Sequence, residues 1–350
     1  MGGVLVSLTE QSLDKTMEYL SYMQKNGFNS IFTSLQIPEE DPRELLEPLT
    51  RIGEFALRHD MLFMVDVSPR TFNHFSLQQL KASGVTGLRI DNGMEIAEIA
   101  GLTHEWRVAL NASTIDQAFL DGLREQQANF ASLEAWHNYY PRPETGLDLT
   151  VFQNQNRWLQ SQGLTVAAFI PGDGDLRGPL HEGLPSLEKH RHMSPFAGYL
   201  ELVYECFVDH VLIGDLSVSP WTMQQFLAWN EGTVLLGVEE QRPSHVWEGV
   251  HHNRPDIARD VIRSEEARHH FRGSILPEHT VERPTGALTI DNDKYIRYCG
   301  EFQIVLCPLP ADERVNVIGY VIPSDIPLLP FLSRSRHPFR FLAITSFRES

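Results

Sequence analysis

Between Glu134 and Glu144 the chain sets down a carboxylate, an imidazole, a carboxamide, two phenol rings and a guanidinium: Glu134, His137, Asn138, Tyr139, Tyr140 and Arg142. Pro141 and Pro143 restrict the backbone there, so these groups belong to a fixed loop rather than a pliant one. A carboxyl that moves a proton, donors and acceptors for hydroxyls, a cation for an anion and rings that lie on a sugar face equip a site to bind a saccharide and break a bond in it. The run Asn129–Leu133 reads as a short strand, which would put Glu134 just past its end and make it the leading candidate for the acid.

The elements that must carry such a loop repeat along most of the chain. Val4–Leu8, Ser30–Ser34, Leu62–Val67, Gly87–Asp91, Arg107–Asn111, Asn129–Leu133, Thr165–Ile170 and His210–Gly214 read as strands, with helical segments such as Gln11–Lys25, Glu44–Arg58 and Ile115–Glu125 between them. Helix-stopping Gly or Asn announces many of the strands, as in NGFNSIF, SGVTGLRI and QGLTVAAF. Such a series predicts an α/β fold, a closed (β/α)8 barrel over residues 1–235. An open doubly wound sheet is the second choice, weakened because neither a dinucleotide glycine fingerprint nor a GxxxxGK[ST] loop is present. Further on the helical period fades. Thr233–Val238, Val281–Thr289, Phe302–Leu306, Val315–Val321 and the stretch PFRFLAITSF read as strands, and Ile257–Arg263 as a short helix, predicting a small β-rich domain over residues 236–350.

In barrels of this kind chemistry collects at the C-terminal strand ends. Those ends read Ser7 with Glu10, Asp66, Arg89 with Asp91, Asn111, Glu134 with His137 and Asn138, Asp173 with Asp175, and Asp215. Carboxylates converging on one mouth raise each other's pKa values, a penalty unless they serve as acids and bases or a cation binds. Asp91 in LRIDNG and Asp173 in the glycine-rich IPGDGD join Glu134 as the expected catalytic carboxylates. Simpler roles stand beside them: Asp66 as a cap, Asp91 as turn chemistry before Gly93, Asp173 in a solvated turn, Asp215 as a cap or structural acid. The long loop from Pro171 to Ser194 carries Arg177, His181, His190, Arg191 and His192, and loops after the seventh and eighth strands often hold phosphate.

A formal net charge of -17 over 350 residues argues against nucleic acid or an anionic membrane as partner. An anionic small substrate would need the local Arg and His that this loop supplies. Cys206, Cys299 and Cys307 show neither CxxC nor metal-ligand spacing, which suits reduced thiols. His251-His252 and His269-His270 are adjacent pairs rather than i, i+4 chelates, and the HEG at His181–Gly183 lacks the second His of HExxH; neither metal nor cofactor is expected. No window approaches the ~20 apolar residues of a membrane span. The opening MGGVLVSLTE reads as a first strand rather than a secretion signal, so a cytoplasmic location is expected.

Three stretches, HNYYPRPETGLD (His137–Asp148), DLRGPLHEGLPSLEKHR (Asp175–Arg191) and LRIDNG (Leu88–Gly93), resemble the 6-phospho-N-acetylmuramidase family, glycoside hydrolase family 170. The order of elements agrees along nearly the whole chain. The resemblance implies a (β/α)8 barrel followed by a smaller cyclophilin-like β domain. It also implies an intracellular, exo-acting glycosidase that cleaves the β-1,4 bond of 6-phospho-N-acetylmuramyl-N-acetylglucosamine in cell-wall recycling. Glu134 is then expected as the protonated acid and Asp91 or Asp173 as its ionised partner. In a second route the acetamido group of the sugar itself attacks, steadied by Asp173. His137, Arg142, Arg177 and His181 are expected to grip the phosphate and lactyl carboxylate, Asn138 to contact the sugar, and Tyr139 or Tyr140 to stack on it. The partner would be a phosphorylated muramyl disaccharide, with a homo-oligomer left open. A non-catalytic phosphosugar-binding protein and a metal-dependent phosphosugar barrel enzyme are the alternatives. A Schiff-base aldolase fits less well, since no candidate strand end displays a Lys.

Overall fold

A computed structural model describes residues 2–36, 42–240, 248–267 and 273–344. The chain forms two compact units, Met1–Ser219 and Pro220–Ser350. In the first, eight parallel strands close a barrel: β1 (Gly3–Leu5), β2 (Ser30–Ser34), β3 (Leu62–Val67), β4 (Gly87–Ile90), β5 (Arg107–Asn111), β6 (Leu133–Trp136), β7 (Thr165–Ile170) and β8 (His210–Ile213). Pairing of β1 with both β2 and β8 shuts the ring. Helices α1 (Leu13–Lys25), α2 (Pro42–Arg58), α3 (Leu77–Ala82), α4 (Ile96–Leu102), α5 (Gln117–Glu125), α6 (Leu149–Ser161) and α7 (Pro195–Glu205) lie between the strands in sequence. Ser12, Ser76, Asp116 and Asp148 start helices by accepting a backbone N–H on a side-chain oxygen. Asn26 ends α1, with Gly27 at φ 90° taking the left-handed turn that follows.

Leu5, Phe32, Met64, Ala109, Trp136, Ala167, Phe169 and Leu212 form one buried cluster that fills the barrel interior. The Phe32 ring meets those of Trp136 and Phe169 at 5.4 and 5.6 Å. Because side chains alternate along a strand, this cluster is a floor that sorts its neighbours. Two residues beyond Met64, Ala109 and Trp136 come Asp66, Asn111 and Asn138, which therefore face the C-terminal mouth. Two residues before Trp136 comes Glu134, which faces the other way along the barrel axis.

The second unit begins with α8 (Pro220–Asn230) and contains β9 (Val234–Glu240), β10 (Val261–Arg263), β11 (Ala287–Asp291), β12 (Phe302–Val305), β13 (Val315–Val321), α9 (Leu329–Arg334) and β14 (Phe339–Ala343). They form one mixed sheet in the order β10-β12-β11-β13-β9-β14, antiparallel except for β14 beside β9. The helix expected over Ile257–Arg263 is instead β10, where Ile262 is fully buried and Val261 pairs with Val305. The strand expected from Val281 starts only at Ala287, after Pro284 and the left-handed Gly286. Among the described residues of PFRFLAITSF, Phe339–Ala343 is strand; residues 345–350 fall outside the described part, as do His269 and His270. Buried Asp325 ties α8 to β9, accepting from Gly237 N–H at 2.7 Å, Gln225 Nε2 at 3.0 Å and Trp221 Nε1 at 3.2 Å. Among the described residues no helix is long and apolar enough to cross a membrane.

Candidate active site

The mouth of the barrel holds a cavity of about 180 Å³ lined by Phe32, Asp66, Arg89, Asp91, His137, Asn138, Tyr139 and Phe169. Strand register builds its base. Asp66 is the cross-strand partner of both Ser34 and Arg89, so the three side chains stand together at one level. Arg89 Nη1 donates to Asp66 Oδ1 at 2.7 Å, and Nη2 reaches Asp91 Oδ1 at 3.5 Å and donates to Asn138 Oδ1. Ser34 Oγ donates to Asp66 Oδ2 at 3.4 Å, and Asn111 Nδ2 to Asp91 Oδ1 at 3.1 Å. One buried guanidinium therefore joins two carboxylates and a carboxamide. Burial raises the pKa of Asp66 above the ordinary carboxylate value, a shift that nearby Arg89 opposes and Asp91 reinforces. Asp66 thus acts on the cavity rather than as a turn cap, and Asp91 belongs to the same polar group rather than to the turn alone.

On the far side of Tyr139 stands an arginine held from the β7 loop. Arg177 is buried; its Nη1 donates to Tyr139 Oη at 3.3 Å and its Nε to Glu10 Oε1 at 2.9 Å, while Gly178 N–H donates to Glu10 Oε2 at 2.9 Å. Asp215 shapes that loop: its buried carboxylate accepts backbone N–H groups from Gly172, Leu184 and Arg177 at 2.8 to 3.0 Å. Asp215 is accordingly the structural acid expected for it. Burial raises its pKa against those three hydrogen bonds and the charge of Arg177. Gly172 serves the loop packing rather than a ligand, since a Cβ there would lie 2.3 Å from the Ser217 carbonyl oxygen and 2.8 Å from Asp215 Cβ.

The catalytic carboxylates expected from the sequence do not all meet. Glu134 is not at the mouth. The strand runs over Leu133–Trp136, four residues later than the expected Asn129–Leu133, which is instead a short 3-10 turn begun by the Asn129 side chain. Glu134 therefore sits early in β6, where Oε1 accepts from Arg107 Nη1 at 2.6 Å and Oε2 from Trp136 Nε1 at 2.6 Å. Arg107 opens β5 and is half exposed, marking this as the N-terminal end of the barrel. Asp173 is spent on the β8–α8 connection: its carboxylate accepts from Ser219 N–H at 2.7 Å and Ser219 Oγ at 2.8 Å. Of the three, Asp91 lines the cavity, with Asp66 beside it in the same wall.

The expected binding residues divide likewise. Asn138 is in the cavity wall. His137 touches that wall, but its imidazole turns out to α6, packing on Phe152 with ring centroids 4.3 Å apart and meeting Asn156 Oδ1 through Nε2 at 2.6 Å. Burial drives its pKa down from 6.5 to about 4, which favours the neutral ring near pH 7. Tyr139, not Tyr140, lines the cavity; the Tyr140 carbonyl accepts from Arg191 Nη2 at 2.9 Å. Arg142 is exposed, and its carbonyl also receives Arg191 Nη2, at 3.3 Å. His181 is exposed with Nδ1 2.9 Å from the Leu176 carbonyl, and its imidazole flanks Gly178. Buried Arg191 fastens the loops through Glu188, whose pKa it lowers to about 2, and through the Glu182 and Gly183 carbonyls. Among the described residues no group of three or more His, Cys, Asp or Glu could hold a metal ion.

A closed parallel barrel with paired carboxylates and a guanidinium at its C-terminal mouth has the layout of a barrel enzyme that breaks bonds by carboxylate chemistry. The family match places it more narrowly. The 6-phospho-N-acetylmuramidase N-terminal model covers residues 2–228 and the C-terminal model residues 233–342; the chain belongs to that family of glycoside hydrolases. The crystal structure of a conserved protein of unknown function from Enterococcus faecalis is 42% identical, covering 99% of this chain and 97% of its own, with a TM-score of 0.90. A B. cereus protein is 26% identical over 97% of this chain and 98% of its own, at a TM-score of 0.77. The search of curated proteins returned no match.

Proposed function

We propose that this glycosidase cleaves the β-1,4 bond of 6-phospho-N-acetylmuramyl-N-acetylglucosamine from the muramyl end, inside the cell, as a step in re-using cell-wall fragments. The observation that carries the proposal is the sharing of Arg89 by Asp66 and Asp91 in the mouth cavity. Burial favours a proton on Asp66, which suits it to protonate the leaving oxygen. Asp91, more open to the cavity and steadied by Asn111, faces the positive charge that develops at the sugar carbon. Arg89 holds both acids at a fixed orientation, and Asn138 is fixed by the same guanidinium in reach of sugar hydroxyls. Tyr139 offers a ring face, with Arg177 behind it as the positive charge for the 6-phosphate and His181 beside Gly178 as a further hydrogen-bonding group.

Incubating the protein with phosphorylated and unphosphorylated muramyl disaccharides and following N-acetylglucosamine by mass tests this directly. Release from the phosphorylated compound alone is expected. Release from neither, or from both at equal rates, contradicts the proposal.

A further inference from the structure

Next to the cavity at Asp66 and Arg89 lies a second one, of about 240 Å³, and Asp91 stands in the wall of both. Its back is apolar. Ile90 and Leu110, cross-strand partners on β4 and β5, point outward from the barrel and meet Ile99 of α4 and Phe119 of α5 across the void. Its rim is polar: Asp91 and Asn111, joined by the 3.1 Å hydrogen bond from the Asn111 carboxamide. A concave space with an apolar back and a few polar groups at its entrance is built for a small ligand group of the same two-sided character. An amide carrying a short alkyl group fits that description. Its N–H and C=O lie at the rim, and its methyl meets the isoleucine, leucine and phenylalanine side chains. A carboxylate does not fit, because beside Asp91 it would lose hydration with no cation to receive it, and a free ammonium, which Asp91 could pair with, would leave the apolar back unfilled.

We propose that this second cavity receives the N-acyl substituent of the sugar whose bond is cleaved at Asp66 and Asp91, so that a short acyl amide is a condition of recognition and its length is limited by Ile99 and Phe119. The inference rests on the hydrolase reading above and adds the subsite that reads the acyl group. Because Asp91 borders both spaces, a substituent in the second hangs from the sugar held in the first.

The test compares kcat/KM of the wild-type protein, Thr114→Trp and Ile99→Ala on three phosphorylated disaccharides that bear acetyl, butanoyl or no acyl group on the cleaved sugar's nitrogen. Thr114 is an exposed residue lining the cavity; its hydroxyl donates to the Asn111 main-chain carbonyl at 3.0 Å, not to the carboxamide that meets Asp91, and its N–H donates to the same carbonyl and survives substitution, so a large ring there narrows the space in a folded protein. Wild type is expected to prefer acetyl over the free amine by about tenfold or more. Thr114→Trp should lower the acetyl value by about tenfold while leaving the amine value within about twofold, and Ile99→Ala should move the preference toward butanoyl by about tenfold. Cleavage by wild type with the same order of acyl preference in all three proteins overturns the subsite alone. Cleavage of none of the compounds by wild type overturns the hydrolase reading and the subsite with it.

Discussion

Replacing Arg89 with Met removes the one cation that Asp66, Asp91 and Asn138 share. The Arg89 and Asp66 side chains are only 5% and 15% exposed, so the variant leaves a carboxylate buried without its partner. Breaking such a pair by removing one member costs about 3–5 kcal/mol when the other stays charged. The carboxyl can escape that penalty by taking up a proton. Burial already holds the Asp66 pKa above its ordinary value, and without Arg89 it rises further. The sign follows from linkage. A carboxyl whose folded pKa is raised supports the fold below its unfolded value and loses that support as pH climbs through the folded value. Arg89→Met should therefore lose about 3–5 kcal/mol relative to wild type near pH 8 and less than that near pH 5. Adding Asp66→Asn should restore about 2 kcal/mol at the higher pH, because the buried charge is gone. Urea unfolding of the three proteins at both pH values measures this. An equal loss at both, with no recovery in the double variant, would falsify the proposed charge state of the cluster.

Two further outcomes follow from the same geometry. Neutral His137, with its pKa lowered from 6.5 to about 4, supports the fold fully above about pH 6.5 and progressively less as pH falls toward 4. Wild type should thus lose about 2 kcal/mol between pH 7 and pH 5 that His137→Gln does not lose, and parallel slopes in urea titrations would count against the assignment. Arg177→Ala should raise KM for the phosphorylated disaccharide about tenfold or more with kcat changed far less; an unchanged KM would remove Arg177 from the phosphate site.

Much of the barrel was legible in the sequence. Ser30–Ser34, Leu62–Val67, Arg107–Asn111 and Thr165–Ile170 have the expected bounds because apolar runs between helix stops define them locally. The candidate site depended on β6, where local pattern misled. Asn129–Leu133 looks like a strand because of its apolar residues, but Asn129 makes an Asx-type turn and donates its own N–H to the Thr103 hydroxyl oxygen. The true strand carries a carboxyl at its second residue, tolerated because Arg107 arrives from the neighbouring strand. A pairing across 27 positions leaves no mark on a local window. Asp66 had the opposite fate. Its fragment MVDVSP reads as a cap as readily as a functional acid, and only the barrel register sets it beside Arg89 at the mouth. Arg191 and His137 come from the charge-bearing motifs, and the contacts of both hold loops or helices in place.

The most direct measurement is turnover of the 6-phosphorylated muramyl disaccharide by Asp66→Asn, Asp91→Asn and Glu134→Gln, each checked for an intact fold by circular dichroism. The two mouth variants should fall by about a thousandfold or more in kcat, and Glu134→Gln, altered only at the opposite end of the barrel, should stay within about threefold of wild type. Near-normal turnover in Asp66→Asn and Asp91→Asn, or its loss in Glu134→Gln alone, would contradict the placement of catalysis at the Arg89 cluster.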